Sequence, residues 1–192
     1  MSVLLRDDLQ LCGLRLNANL EHRGPLVPVN ELVERLGEAL DFLSDDGIAV
    51  HLSLGCNRWT AVATDRALIE GLLLGLSLRA RDSMRQGGLL SLETTTLRLE
   101  DQLAESRGLP PGEYVRISVV DTGGWSGGAA STWTARMGSP RGLARPSLAA
   151  LRHAADAGGG ALVCARHDCR GGRADLYLPV ASERTRPVST LS

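Results

Sequence analysis

The chain has 192 residues, of which 43% are hydrophobic and 22% are charged, a composition typical of one globular domain with at most a small appendage. Its 21 basic and 22 acidic residues give a formal net charge of -1, which argues against a protein that binds nucleic acid or an anionic membrane surface. No apolar run reaches the roughly 18–20 residues of a membrane helix, and charges interrupt "MSVLLRDDLQ" where a signal peptide needs an apolar core. We therefore expect a cytoplasmic protein without membrane insertion.

The first half of the chain alternates between helical and extended patterns. Residues 1–28 combine apolar positions at mixed spacing with a Gly-Pro break, so we treat them as an appendage without a predicted structure. Leucines at helical spacing before an Asp-Asp-Gly end predict a helix over about 29–43. The segment "IAVHLSL" predicts a strand at 48–54 with a loop after it, and helical spacing then returns over 65–85.

The second half predicts more strands than helices. The strands "LLSLETTTLRL" and "EYVRISVVD" flank a polar loop with a Pro-Pro break and are expected to be antiparallel neighbours. Residues 122–141, rich in Gly, Ser and Thr, predict a long mobile loop resembling a lid. A helix at about 143–156, the strands "ALVCARH" and "RADLYLPV", and a disordered tail at 182–192 follow. Over 29–181 this order predicts a two-layer α/β sandwich, with helices on one face of a mixed, mainly antiparallel sheet of roughly five strands.

The segment "CARHDC" raises the question of a zinc site. It contains Cys164, His167 and Cys169, but their spacing fits no common ligand pattern and no fourth ligand is evident. We therefore expect strand and turn residues here, with no bound metal, and treat the cysteines as thiols.

Several neighbouring blocks resemble one known family. They are a helix ending "LRARDSMRQGG", a strand, a loop containing "LPPG", and a strand ending "VVDTGG". Together they resemble the ATP-binding catalytic domain of sensor histidine kinases, which belongs to the GHKL superfamily with DNA gyrase and MutL. The resemblance spans about residues 26–181 and implies a Bergerat-type ATP-binding fold and a role in two-component signal transduction.

The resemblance also implies roles for individual residues. It assigns adenine recognition to Asp121, followed by Thr122 and Gly123, and phosphate binding by backbone amides to the stretch that contains Gly138 and Gly142. In that stretch Pro140 has no amide donor, and Arg141 interrupts the glycine-rich pattern of the family. Phosphate binding is therefore expected to be weakened.

The metal-binding part of the pattern departs further from the family. Asp82 matches the family's Arg-Asp-Ala triplet, whereas Arg79 stands where the family has the asparagine that holds magnesium. A guanidinium has no acceptor atom and cannot ligate a cation. One turn earlier, Gly75 replaces the polar residue of the family. Magnesium binding is therefore not expected, and binding of ATP or ADP is expected to be weak.

The two glycines of this helix leave two interpretations open. At 100° per residue, Gly71, Gly75 and Asp82 fall within about 40° of one another, with Arg79 at the edge of the same stripe. Small residues there would let a ligand come close to the helix. Alternatively, the glycines only permit tight helix packing.

These observations favour a degenerate histidine-kinase-type ATPase domain that acts by protein–protein interaction. Its expected partner is a response regulator, a phosphotransferase or a sensor kinase, and the chain could also pair with a second copy of itself. One alternative is a divergent but active nucleotide-binding domain in which Arg79, Arg141 and Arg145 supply the positive charge that magnesium normally brings. Another is a phosphotransfer protein, for which His22 is poorly placed, directly before a Gly-Pro break.

Overall fold

The structure, a computed structural model, describes residues 25–123, 146–167 and 171–181. Most of the predicted appendage, the predicted loop beyond Gly123 and the tail from residue 182 lie outside these ranges. The helices are α1 (Val29–Ala39), a 3₁₀ helix (Asp41–Asp46), α2 (Arg66–Ser83), α3 (Asp101–Glu105) and α4 (Leu148–Ala157). The strands are β1 (Leu26–Pro28), β2 (Ile48–Leu54), β3 (Ala61–Ala63), β4 (Gly88–Leu99), β5 (Gly112–Asp121), β6 (Ala161–His167) and β7 (Gly171–Pro179).

Five strands form one mixed sheet in the order β2-β4-β5-β7-β6. Only the β2–β4 pair is parallel among these strands, and β4 runs antiparallel to β5 from Leu90 opposite Asp121 to Leu99 opposite Gly112. The predicted antiparallel pair and the predicted fold class, a two-layer α/β sandwich with a mixed sheet, are both confirmed.

Helices α1, α2 and α4 cover one face of this sheet. Leucines and isoleucines that recur along α1 and α2 lie against the alternate, inward-facing residues of the strands. Each fully buried leucine or isoleucine contributes roughly 1.5–3 kcal/mol relative to an exposed one, so this layer holds the fold together. Prominent members of this core are Leu32, Leu36, Ile69, Leu73, Leu76, Leu92, Ile117, Val119 and Leu176.

The opposite side of the sheet, which we call the open face, carries a smaller apolar cluster at one end. Since successive side chains of a strand alternate, Tyr114, Arg116 and Ser118 of β5 lie on the open face, whereas Ile117 lies on the helix-covered face. The cluster of Tyr114 and Tyr177 is completed by α3 and the turn that follows it. The remainder of the open face is largely polar.

Some elements differ from their predicted bounds. Helix α1 ends at Ala39, four residues before the predicted end, and the chain continues as the 3₁₀ helix up to Gly47, which has a φ of +72°. The polar segment after β4, predicted as loop, contains α3. A second sheet, formed by β1 and β3, was not predicted. These elements have three to six residues, too few to show a period.

The two glycines of α2 have different surroundings. A methyl group built on Gly75 would lie 3.0 Å from side-chain carbons of both Pro146 and Leu151, so this glycine lets α4 and the segment before it approach α2 closely. A methyl group on Gly71 would meet nothing within 4 Å. For Gly75 the contacts therefore agree with the helix-packing interpretation.

Substitution of the two glycines should have opposite effects. We expect Gly71→Ala to raise the free energy of unfolding by about 0.5–1 kcal/mol, because alanine restricts the unfolded chain and favours a helix. Gly75→Leu should lower it by about 1–3 kcal/mol, because the new side chain has to displace Pro146 and Leu151. Urea denaturation measures the free energy of unfolding of both variants. A lower value for Gly71→Ala would contradict the observation that a methyl group at residue 71 meets no other atoms.

Candidate functional site

The carboxylate of Asp121 lies at the end of β5 and is enclosed by the protein. The residue is only 1% exposed. One carboxylate oxygen, Oδ1, accepts a hydrogen bond from the hydroxyl of Ser83 at 2.9 Å and another from the backbone N–H of Gly123 at 2.9 Å. The end of α2 and the turn after β5 are thus joined through one side chain.

Ser83 is the residue that sequence reasoning missed. It is the last residue of α2, and its Oγ lies 2.7 Å from the carbonyl oxygen of Ala80 as well as within reach of Asp121. The hydroxyl of Ser83 is thus within hydrogen-bond distance of two acceptors, and it links the end of α2 to Asp121. The sequence feature that could have revealed this residue is the serine that replaces the alanine of the family's Arg-Asp-Ala triplet.

The backbone around Asp121 is packed so tightly that it excludes side chains. A Cβ atom on Gly171, whose φ of +105° favours glycine, would overlap the carbonyl oxygen of Asp121. A Cβ atom on Gly123 would overlap Ser83. Thr122 is fixed in turn, since its Oγ1 accepts from the N–H of Leu89 at 3.0 Å. The turn after β5 is therefore held against both α2 and β4.

The two charged candidates of α2 lie in different surroundings. The Asp82 carboxylate is 3.3 Å from a guanidinium nitrogen of Arg81, and its side chain is 22% exposed. Arg79 is half-buried and acts electrostatically on Cys164 of β6. Burial raises the pKa of the Cys164 thiol, whereas the positive charges of Arg152 and Arg79 oppose that rise. Cationic groups from α2 and α4 therefore lie near the same point of β6.

Other predicted residues lie outside the described ranges. Gly138 and Gly142 are among them, so their expected contribution to phosphate binding stays a prediction. Cys169, one of the three residues considered for a zinc site, also lies outside the described ranges. Within the residues that the structure describes, no three potential ligands from His, Cys, Asp and Glu come together.

A shallow cavity of about 220 Å³ lies between α1, the 3₁₀ helix and β2. Its lining includes the apolar Ile48 and Leu52 and the carboxylate of Asp41. This volume is below the roughly 300–1,000 Å³ of small-molecule sites, and none of the residues predicted for nucleotide binding line it.

Comparisons with solved structures give a consistent result. The chain is similar to the mycobacterial sensor histidine kinase MprB, with a TM-score of 0.57, 15% identity, and coverage of 82% of this chain and 97% of that one. The Acinetobacter baumannii histidine kinase AdeS gives a TM-score of 0.55 at 18% identity, over 91% of this chain and 76% of that one. This chain has the fold of a histidine kinase catalytic domain.

A third structure shows how much of a full-length kinase this chain matches. Full-length ShkA, solved in complex with AMPPNP, matches with a TM-score of 0.57 at 19% identity over 83% of this chain, but this chain spans only 32% of ShkA. No protein-family model and no curated protein matches the sequence. None of the helices in the described ranges is long and apolar enough to cross a membrane. The histidine-kinase-like fold therefore rests on structure and on the sequence blocks around Asp82 and Asp121.

Removal of the Ser83 hydroxyl should weaken the fold at this site. We expect Ser83→Ala to lower the free energy of unfolding by about 1–2 kcal/mol, because a buried carboxylate loses a charge-assisted donor. The matched control is Ser106→Ala, which removes an exposed hydroxyl bonded to the carbonyl of Leu103 and should change stability by less than about 0.5 kcal/mol. Equal effects in urea denaturation would show that Ser83 has no special role.

Proposed function

We propose that this chain is a histidine-kinase-like ATPase domain that has lost phosphotransfer and acts in two-component signalling by binding another protein. The partner classes are those expected from the sequence, namely a response regulator, a phosphotransferase or a sensor kinase. The observation that carries the proposal is the enclosure of Asp121. The residue is 1% exposed, and its carboxylate accepts hydrogen bonds from Ser83 and from the backbone of Gly123.

The hydrogen bonds of Asp121 support weak adenine binding. In the family resemblance this carboxylate accepts from the amino group of adenine, whereas here Oδ1 already accepts from two groups of the chain. An incoming base has to reach a residue that is only 1% exposed, and its approach would disturb the hydrogen bonds from Ser83 and Gly123. The loss of those bonds would offset part of any gain from adenine.

The arginine at the position of the family's magnesium-binding asparagine supports the loss of phosphotransfer. Magnesium requires oxygen ligands, and Arg79 offers none at the position where the resemblance places one. Gly75 has no side chain, and a Cβ atom built on it would lie 3.0 Å from side-chain carbons of Pro146 and Leu151. A carboxylate or amide at residue 75 would have to displace these two side chains before it could reach a ligand.

A divergent nucleotide-binding domain is the second candidate function. It is favoured by the cationic groups of Arg79 and Arg152, which come from two helices and act on the same thiol of β6. Guanidinium groups bind phosphate oxygens well without a metal. Such a domain would bind ATP equally well with and without magnesium.

Nucleotide titration separates the two candidates by affinity, because tight binding that is independent of magnesium would favour the second candidate. We expect the wild-type chain to bind ATP or ADP weakly, with a dissociation constant that magnesium does not lower, and Asp121→Asn to weaken this binding further. Arg79→Asn should introduce a magnesium dependence, because it places an amide oxygen where the guanidinium stood. Isothermal calorimetry with and without magnesium measures all three.

The matched control for Arg79→Asn is Arg66→Asn, at the other end of the same helix, where the arginine pairs with Glu70 at 2.8 Å. It should leave nucleotide binding and its magnesium response unchanged. Tight magnesium-dependent binding by the wild-type chain, or transfer of radiolabelled phosphate from ATP to the chain, would refute the proposal.

A further inference from the structure

The open face of the sheet contains a compact charged network centred on Arg173 of β7. Its guanidinium lies 2.8 Å from Oδ1 of Asp175 and 3.3 Å from a carboxylate oxygen of Glu93, and it donates to Oγ of Ser118 at 2.7 Å. Ser118 in turn donates to Asp175 at 2.6 Å. One arginine thus engages both carboxylates of this part of the face.

Arg116 lies beside this network without sharing its carboxylates. On β5 it lies opposite Thr95 of β4 and Tyr177 of β7, and Glu93 and Asp175 are its diagonal neighbours. Diagonal neighbours are about 7–8 Å apart, within reach of a long side chain, but both carboxylates are engaged by Arg173. In the described part of the chain, Arg116 forms no hydrogen bond or ion pair, and its Nε is buried.

A second guanidinium lies close to the row that Thr95, Arg116 and Tyr177 form across three strands. Arg107, in the turn after α3, stacks over the ring of Tyr177 with its central carbon 5.0 Å from the ring centroid. Its Nη1 donates to the carbonyl of Leu103 at 2.9 Å and to Oγ of Ser106 at 3.4 Å. Its Nε is buried without an acceptor, and no carboxylate pairs with it within the described ranges. Two arginines therefore flank Tyr177 with donors that the described chain does not satisfy.

Unsatisfied guanidinium donors indicate a missing acceptor. Nε of Arg116 and Nε of Arg107 are buried, so no incoming group can reach them. The terminal nitrogens of Arg116, which are not buried and form no hydrogen bond with the described residues, are the donors that an incoming group can pair. The usual partner of a guanidinium on a protein surface is a carboxylate, which can accept two parallel hydrogen bonds. The flat surface of a sheet suits another protein better than a small ligand, which binds in a concave site.

We infer that the open face around Arg116, Arg107 and Tyr177 is a docking surface for an acidic segment of a partner protein. The carboxylates of that segment pair with the two arginines, while Glu93 and Asp175 repel a segment that is displaced along β5 toward Ser118. The inference rests on the proposed protein-binding role, but it does not depend on nucleotide chemistry, so the titrations described above can fail while this surface is confirmed.

A labelled hexaglutamate peptide tests the inference with the full chain at low ionic strength. We expect Arg116→Gln and Arg107→Gln each to weaken binding about tenfold, because each removes a charge-assisted pair. The matched control is Arg98→Gln. Arg98 is exposed and alternates to the other face of β4, so its removal should change binding by less than about twofold. Equal loss in Arg98→Gln would overturn the inference.

Two further measurements separate the possible results. Inorganic phosphate at millimolar concentration should not displace the peptide, and complete displacement would identify a simple anion site and overturn the assignment to a protein segment. Thermal melting of Arg116→Gln should give an unchanged or higher Tm, because an unsatisfied guanidinium is removed. A lower Tm would indicate a structural role instead.

The wild-type chain provides an independent check in case a variant fails to fold. Backbone amide signals that shift on addition of hexaglutamate should cluster at Thr95, Arg116 and Tyr177, which are adjacent across three strands. Shifts confined to α1 and α2, on the other side of the sheet, would contradict the proposed surface.

Discussion

The antiparallel pairing of β4 with β5 is the constraint on which both functional surfaces depend. Its register places Leu90 opposite Asp121 and Thr95 opposite Arg116. Because side chains alternate along a strand, residues 121 and 116 must lie on opposite faces, and a slip of one residue would exchange them. Ile117 and Val119 fix the register, since a slip would move both from the core to the open face. The hydrophobic core thus also decides which charged groups meet α2 and which remain available on the other side.

The two faces satisfy their polar groups in different ways. On the helix-covered face the chain supplies its own donors, and Asp121 becomes a structural junction between α2, the turn after β5 and the start of β7. On the open face Arg173 engages the carboxylates, while Arg116 forms no hydrogen bond or ion pair with the described residues. The polar groups on the helix-covered face are thus engaged within the chain, whereas the open face retains a guanidinium without a described partner.

Most of the fold could be predicted from the sequence, because its long elements show clear periods. Helix α2 and strands β4 and β5 repeat apolar residues over 18, 12 and 10 residues, long enough to fix their type and most of their bounds. Helix α3 and the β1–β3 pair are too short to give such a signal. The site was predicted less completely. Asp121 follows from the family resemblance, but the bond from Ser83 depends on how the end of α2 lies against β5, which no local pattern encodes.

Ser83 also shows why the resemblance cannot be extended to activity residue by residue. A hydroxyl in place of the family's alanine adds one donor, yet that donor lies 2.9 Å from the carboxylate on which adenine recognition depends. Under the proposed function, removal of this hydroxyl alone would not give a phosphotransfer site, because Arg79 would still offer no oxygen to magnesium and Leu151 would still lie close to Gly75. Changes at all three positions would be needed together, and a larger side chain at residue 75 would have to displace Pro146 and Leu151.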